Sequence, residues 1–222
     1  MAEIPATHVI SLSGEEVIPS PQVLLRGSKR YRASDAQKFT RVLEEAAAAA
    51  LPLLKPEAVW ALKPFDPDDP SSPPHLPEGL SRRLTLHFGV VCTIGGQLEA
   101  CSREAFQRGD YALGYFIDQI GTFAVARVAQ ASASRLCEQY GAIRWAPGDH
   151  AKERFTQAQE DLFSWVPAEQ IGVRLNAQRV MAPAKSLSYN LFAGPDLRGV
   201  KCTIPCGQCV WDGACDPQRQ PA

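Results

Sequence analysis

The run from Tyr111 to about Tyr140 constrains the fold more than any other stretch of this chain. Leu113, Ile117, Ile120, Ala124, Val128 and Ala131 recur at spacings of three and four, the period of a single helix face. A helical pattern this long predicts the central core element. Its small residues, Gly114, Gly121, Ala124, Ala126 and Ala129, let other elements approach closely, and Gly141 is placed to cap its C-terminus. Arg127 falls near the apolar stripe, which leaves two readings: a side chain that snorkels to the surface, or a buried ionic role.

The remaining elements arrange themselves before and after this helix. Thr7 to Leu12 is a short β-branched and apolar strand candidate. Ser34 opens a helix in which Gln37 completes a capping box, and LEEAAAAALPLL carries it to a stop at Pro52 and Pro56. After a short apolar stretch, AVWAL, the segment Pro64 to Gly79 is too proline-rich for helix or central strand and reads as a loop, with His75 a solvated member of it. Leu84 to Ile94 becomes continuously apolar, as expected of a strand covered on both faces, so His87 and Cys92 are read as satisfied core residues. Gly95-Gly96 ends that strand and QLEACSREAF follows as a short helix. A helix from Lys152 runs to Trp165-Val166-Pro167, and strand candidates lie at Ile171 to Leu175 and Leu187 to Phe192. The expectation is an α/β chain of α+β type, a mixed sheet around a long central helix, with no internal repeat. It divides into an N-terminal strand and helix part (1–63), a Pro-rich loop (64–83), the core (84–197) and a cysteine-rich tail (198–222).

Composition narrows the partners. With 222 residues, 45% hydrophobic and 21% charged, the chain can bury one substantial core. A formal net charge of −1 supplies no global field for nucleic acid or an acidic membrane, and neither is expected as a partner. MAEIPATHVI lacks a basic region followed by an apolar run, and no window is apolar enough to span a bilayer, so a soluble cytoplasmic protein is expected. Seven cysteines is an odd number and four fall in the last 21 residues, which suits metal or cluster ligation better than a secreted disulfide framework. Cys101 and Cys137 have no cysteine neighbours at ligand spacing and are read as structural.

Two loops carry the candidate chemistry. In AIRWAPGDH, Ala142 to His150, Arg144 precedes a Pro147-Gly148 turn. A guanidinium grips a carboxylate through two parallel hydrogen bonds, and the turn lets backbone polar groups face a ligand closely. The alternative is that Arg144 pairs with a local acid such as Glu138. MAPAKSLS, Met181 to Ser188, is a second proline-containing loop placed to face the first.

In order, GQLEACSREAFQRGDYALGYFIDQIGTFAVARVAQ, IRWAPGDH, QEDLFSWV, IGVRLN and MAPAKSLS resemble the activation domain of cobalamin-dependent methionine synthase, in the free-standing form with a cysteine-rich tail. The similarity covers roughly Leu84 to Leu191, with an echo in PQVLLRG, and rests on the order and spacing of the motifs. It implies S-adenosylmethionine held beside a corrinoid: Arg144 on its carboxylate, the backbone around Ala146 and Gly148 along its adenosyl end, and Met181, Pro183 and Ser186 as a facing wall. Where relatives have a tyrosine after the glycine, Asp149 stands here, and where many have a glutamate late in the long helix, Ala126 stands. Asp149 either favours the sulfonium cation or caps the next helix, and His150 is a surface residue at that helix start or a proton-transfer or metal group.

Cys202, Cys206, Cys209 and Cys215, spaced by three, two and five residues, can close on one metal ion or cluster. Zinc and an iron-sulfur cluster both accept four thiolates. The resemblance favours the cluster, because reducing a corrinoid needs an electron donor and zinc is not one. The Cys-x-x-x-Cys-x-x-Cys core also has the radical S-adenosylmethionine spacing, but it stands at the wrong end of the chain for that class. The chain has no Asp-x-His-x-x-Gly cobalamin signature, so the cobalamin is expected on a partner, a corrinoid protein or a methionine synthase lacking its own activation domain. The expected function is help with reductive methylation in such a methyltransferase system. The alternatives are a non-catalytic corrinoid-protein-binding or electron-delivery module, and a zinc-stabilised interaction protein.

Overall fold

A computed structural model describes residues 7–21, 23–24, 36–68, 78–141, 143–145, 152–195 and 197. In chain order these form β1 (Thr7–Ser11), a one-turn helix (Gly14–Val17), α1 (Ala36–Ala50), β2 (Glu57–Pro64), a second one-turn helix (Glu78–Ser81), β3 (Leu86–Thr93), α2 (Gln97–Gln107), α3 (Tyr111–Tyr140), β4 (Ile143–Trp145), α4 (Lys152–Trp165), β5 (Arg174–Leu175), β6 (Met181–Ala182) and β7 (Ser186–Ala193).

The long helix α3 has the bounds its apolar period predicts. Asp110 caps its start by accepting the Leu113 N–H at 3.2 Å. Gly141, at φ 65°, ends it in the left-handed region and donates to the Cys137 carbonyl at 2.8 Å. Gly121 explains how α2 and the sheet come so near: a Cβ there would sit 3.1 Å from Leu98 Cδ2 and 3.4 Å from Ile94 Cδ1. Arg127 is exposed, in keeping with the snorkelling reading.

Five strands pair in the order β1-β2-β3-β7-β4, and every pairing is antiparallel. The α+β class and the central helix hold, while the sheet proves antiparallel rather than mixed. β3 is the middle strand and is buried on both faces, which accounts for its unbroken apolar run. One face packs Trp60, Phe88, Val90, Tyr189 and Leu191 against α1, α2 and α3. The other packs Val59, Ala61 and Val91 against Leu162 and Val166 at the end of α4 and Ile171 just beyond it. His87 and Cys92 are both buried, and His87 Nε2 lies 2.9 Å from Asn190 Oδ1, so both are core residues as read.

Several local expectations change. The stretch AVWAL is the heart of β2, which sequence left unassigned because its residues face both layers and show no alternation. Within Ile171 to Leu175, Ile171 ends a 3-10 turn, Gly172 turns the chain at φ 73°, and only Arg174–Leu175 is strand. Glu78–Ser81 forms one helical turn at the end of the Pro-rich loop. Residues 69–77, including His75, lie outside the described residues, as does Ser34 of the capping box. Among the described residues, no helix is long and apolar enough to cross a membrane.

Candidate functional site

The two candidate loops belong to neighbouring strands. Arg144 is the middle residue of β4, opposite Leu191 of β7, and Trp145 lies opposite Asn190. Because β4 runs antiparallel to β7, it heads along it toward Ser188 and Ser186. At that end Ser186 pairs with Thr93, the last residue of β3. Strand β4 itself therefore points toward the end of the sheet where the Met181–Ser188 segment enters. Ala146, Gly148, Asp149 and His150 lie outside the described residues, as do Cys202, Cys206, Cys209 and Cys215.

The Met181–Ser188 segment is built in detail. Met181 pairs with Leu175 in the small β5-β6 sheet and packs on the second core layer. The Ala182-Pro183 peptide is cis, and Pro183 is half-buried beside Gly96, where a Cβ would lie 3.6 Å from Pro183 Cγ. Ser186 is 4% exposed and donates to Thr93 Oγ1 at 3.0 Å. That hydroxyl also accepts the Gly95 N–H at 3.1 Å and donates to the Lys185 carbonyl at 3.4 Å. Met181, Pro183 and Ser186 thus come together at one end of the sheet. Met181 and Pro183 present half-buried apolar surface, while the Ser186 hydroxyl is engaged inside the segment.

Sequence reading passed over the residue on which this segment is hung. Lys185 donates its backbone N–H to Glu99 Oε1 at 2.7 Å, and its carbonyl also accepts the Ile94 N–H at 3.4 Å. Its ammonium reaches Asp118 Oδ1 at 2.8 Å and Thr122 Oγ1 at 2.9 Å on α3. A signal was present: in Asp118-x-x-Gly121 the two residues stand one turn apart, on adjoining positions of a helix. The acid receives the ammonium, and the glycine leaves room for the lysine stem, with a Cβ there 3.4 Å from Lys185 Cε. Ala126, which replaces the expected glutamate, is half-buried on the same helix. Among the described residues no group of three His, Cys, Asp or Glu side chains could hold a metal ion.

Residues 117–204 match the family described as "Vitamin B12 dependent methionine synthase, activation domain". That span holds both β4 and the Met181–Ser188 segment. No curated protein matches the chain in sequence. Among solved structures, the "Crystal Structure of the MetH Reactivation Domain bound to AdoHcy" matches with a TM-score of 0.62 at 15% identity, covering 91% of this chain and 83% of that one. Residues 117–204 are thus similar in sequence to the activation domain of vitamin B12 dependent methionine synthase, and most of the chain shares the fold of the MetH reactivation domain.

Proposed function

We propose that this chain assists the reactivation of a corrinoid carried by a partner protein, with S-adenosylmethionine as the methyl donor. The observation that carries the reading is that both candidate loops lie inside the segment matched to the family, on strands that lead to one end of the sheet. The neighbouring structure's bound AdoHcy, the product left when such a donor loses its methyl group, adds support for the ligand class. In this reading Arg144 grips the donor's carboxylate, the backbone of Ala146 and Gly148 lines the adenosyl end with Asp149 beside it, and Met181, Pro183 and Ser186 form the facing wall. The donor supplies an electrophilic methyl group. The chain's own residues bind and orient that donor, and the partner, a corrinoid protein or a methionine synthase without an activation domain, brings the cobalt. A cytoplasmic setting is part of the proposal.

The four tail thiolates suit a low-potential iron-sulfur cluster, which would supply the electron that reductive methylation consumes. Zinc on the same ligands would give a purely structural tail.

Isothermal titration tests the donor site. Wild-type protein should bind S-adenosylmethionine and S-adenosylhomocysteine. Arg144→Ala should weaken both by about 10- to 100-fold, the worth of about 1.5–3 kcal/mol for hydrogen bonds to a charged group. No binding to wild type, or equal binding by the variant, sinks the donor assignment. Asp149 in place of tyrosine and Ala126 in place of glutamate favour a second reading, a corrinoid-protein-binding or electron-delivery module without a donor site. Co-purification of a corrinoid protein with no donor binding selects it.

A further inference from the structure

We infer that Lys185 and Asp118 are positioning residues, which lock the Met181–Ser186 wall to the long helix so that it is set before any ligand arrives. The inference rests on the donor site proposed above, and it assigns work to two residues that touch no ligand in that proposal.

The geometry concentrates on one residue. The backbone N–H, the carbonyl and the ammonium of Lys185 are bound to three separate elements: the first turn of α2 through Glu99, the end of β3 through Thr93 and Ile94, and α3 through Asp118 and Thr122. The flanking residues have fewer ties to the core. Ala182 and Ala184 are exposed, and Pro183 rests beside Gly96, a helix start with no side-chain cap. Lys185 is therefore the anchor between β6 and the buried Ser186. Its side chain is 20% exposed and that of Asp118 43%, so the pair is partly screened, and its value lies in fixing geometry more than in global stability. Thr122 strengthens the arrangement, since its hydroxyl receives the ammonium and donates to the Asp118 carbonyl at 3.2 Å. A wall fixed in advance spares the ligand the entropy of ordering it.

Hydrogen exchange and titration together test this. Asp118→Asn and Lys185→Gln should each speed exchange of the Lys185 and Ser186 amides by about tenfold and weaken S-adenosylhomocysteine binding by a similar factor, about 1.4 kcal/mol. The double variant should match the singles because one contact is removed in all three. Lys185→Arg, which keeps the charge and the donors, should restore both readouts, while a purely global effect would instead raise exchange across β3 as well. Unchanged exchange at Lys185 and Ser186 in Asp118→Asn overturns the inference whatever happens to binding. Faster exchange with unaltered affinity also overturns it, since the wall would then not serve the ligand. Wild-type protein that binds no donor would overturn the donor site itself, a failure visible before any variant is made.

Discussion

The hydroxyl of Tyr189 on β7 donates to the Ala129 carbonyl on α3 at 2.9 Å and lies 2.7 Å from Ser132 Oγ. All three residues are buried, so this is a dry polar tie between the sheet and the central helix. Ser132 keeps a bond to the Val128 carbonyl at 2.8 Å when the phenol is gone. Tyr189→Phe should therefore destabilise the fold by about 1–2 kcal/mol without leaving Ser132 unsatisfied, as read by urea unfolding. A neutral result would show that the tie contributes nothing beyond packing.

Two glycines should differ in their tolerance of alanine. At Gly89 a Cβ would meet Val166 Cγ2 at 2.5 Å and the Trp165 ring at 2.7 Å, both at the end of α4. Gly89→Ala should push that end away, cost about 1–3 kcal/mol and alter the tryptophan emission. At Gly114 the nearest atoms, at 3.0 Å, belong to Phe106, which is 40% exposed and can swing outward. Gly114→Ala should fall within about 1 kcal/mol of wild type, because the gain in helix propensity offsets that movement.

Glu16 should titrate below an ordinary glutamate. The Ser13 backbone N–H donates to its carboxylate at 2.7 Å and the Ser13 side chain adds to the effect; burial opposes it, and the Arg135 charge is the least of the contributions that lower it. Its folded pKa is lowered, so the capping box contributes stability above the unfolded carboxyl pKa and loses it as pH falls through the lowered folded value. Carbon-detected NMR titration of Glu16 checks the direction. A midpoint at or above the unfolded-chain value would refute it.

Metal binding should belong to the tail. Anaerobically prepared protein should carry metal that is lost when Cys206 and Cys209 are both changed to serine, with the far-UV spectrum of the core unchanged. Elemental analysis reads the outcome: iron with visible absorbance assigns a cluster, and one colourless zinc assigns the structural alternative. Full metal content in the double variant would place the ligands elsewhere.

The long helix was legible because its local signals agreed: an apolar stripe of helical period and a Gly141 stop. Length alone did not make a strand legible, since β2 is as long as β3, at 8 residues, yet its AVWAL run was left unassigned. The 8 residues of β3 announced themselves. The three of β4 did not, since Ile143–Trp145 becomes a strand only by pairing with β7. The same limit applies to the candidate site. Motif order found the Arg144 and Met181 segments, and register shows that β4 points toward the end of the sheet where the second enters. Lys185 stood unnoticed because its partners Asp118 and Glu99 are more than 60 residues away in sequence and only the folded chain assembles them.

The pairing of Thr93 with Ser186 and the seating of Tyr189 on α3 depend on one count of residues along β7. Adding or deleting a single amino acid between Ser186 and Tyr189 would turn one of these side chains to the opposite side of the strand. The turn at Asn176 to Val180 is exposed throughout and joins strands of only two residues each, so a change in its length disturbs fewer pairings. Length variation among natural or engineered versions of this protein should therefore gather at that turn and spare the strand after it.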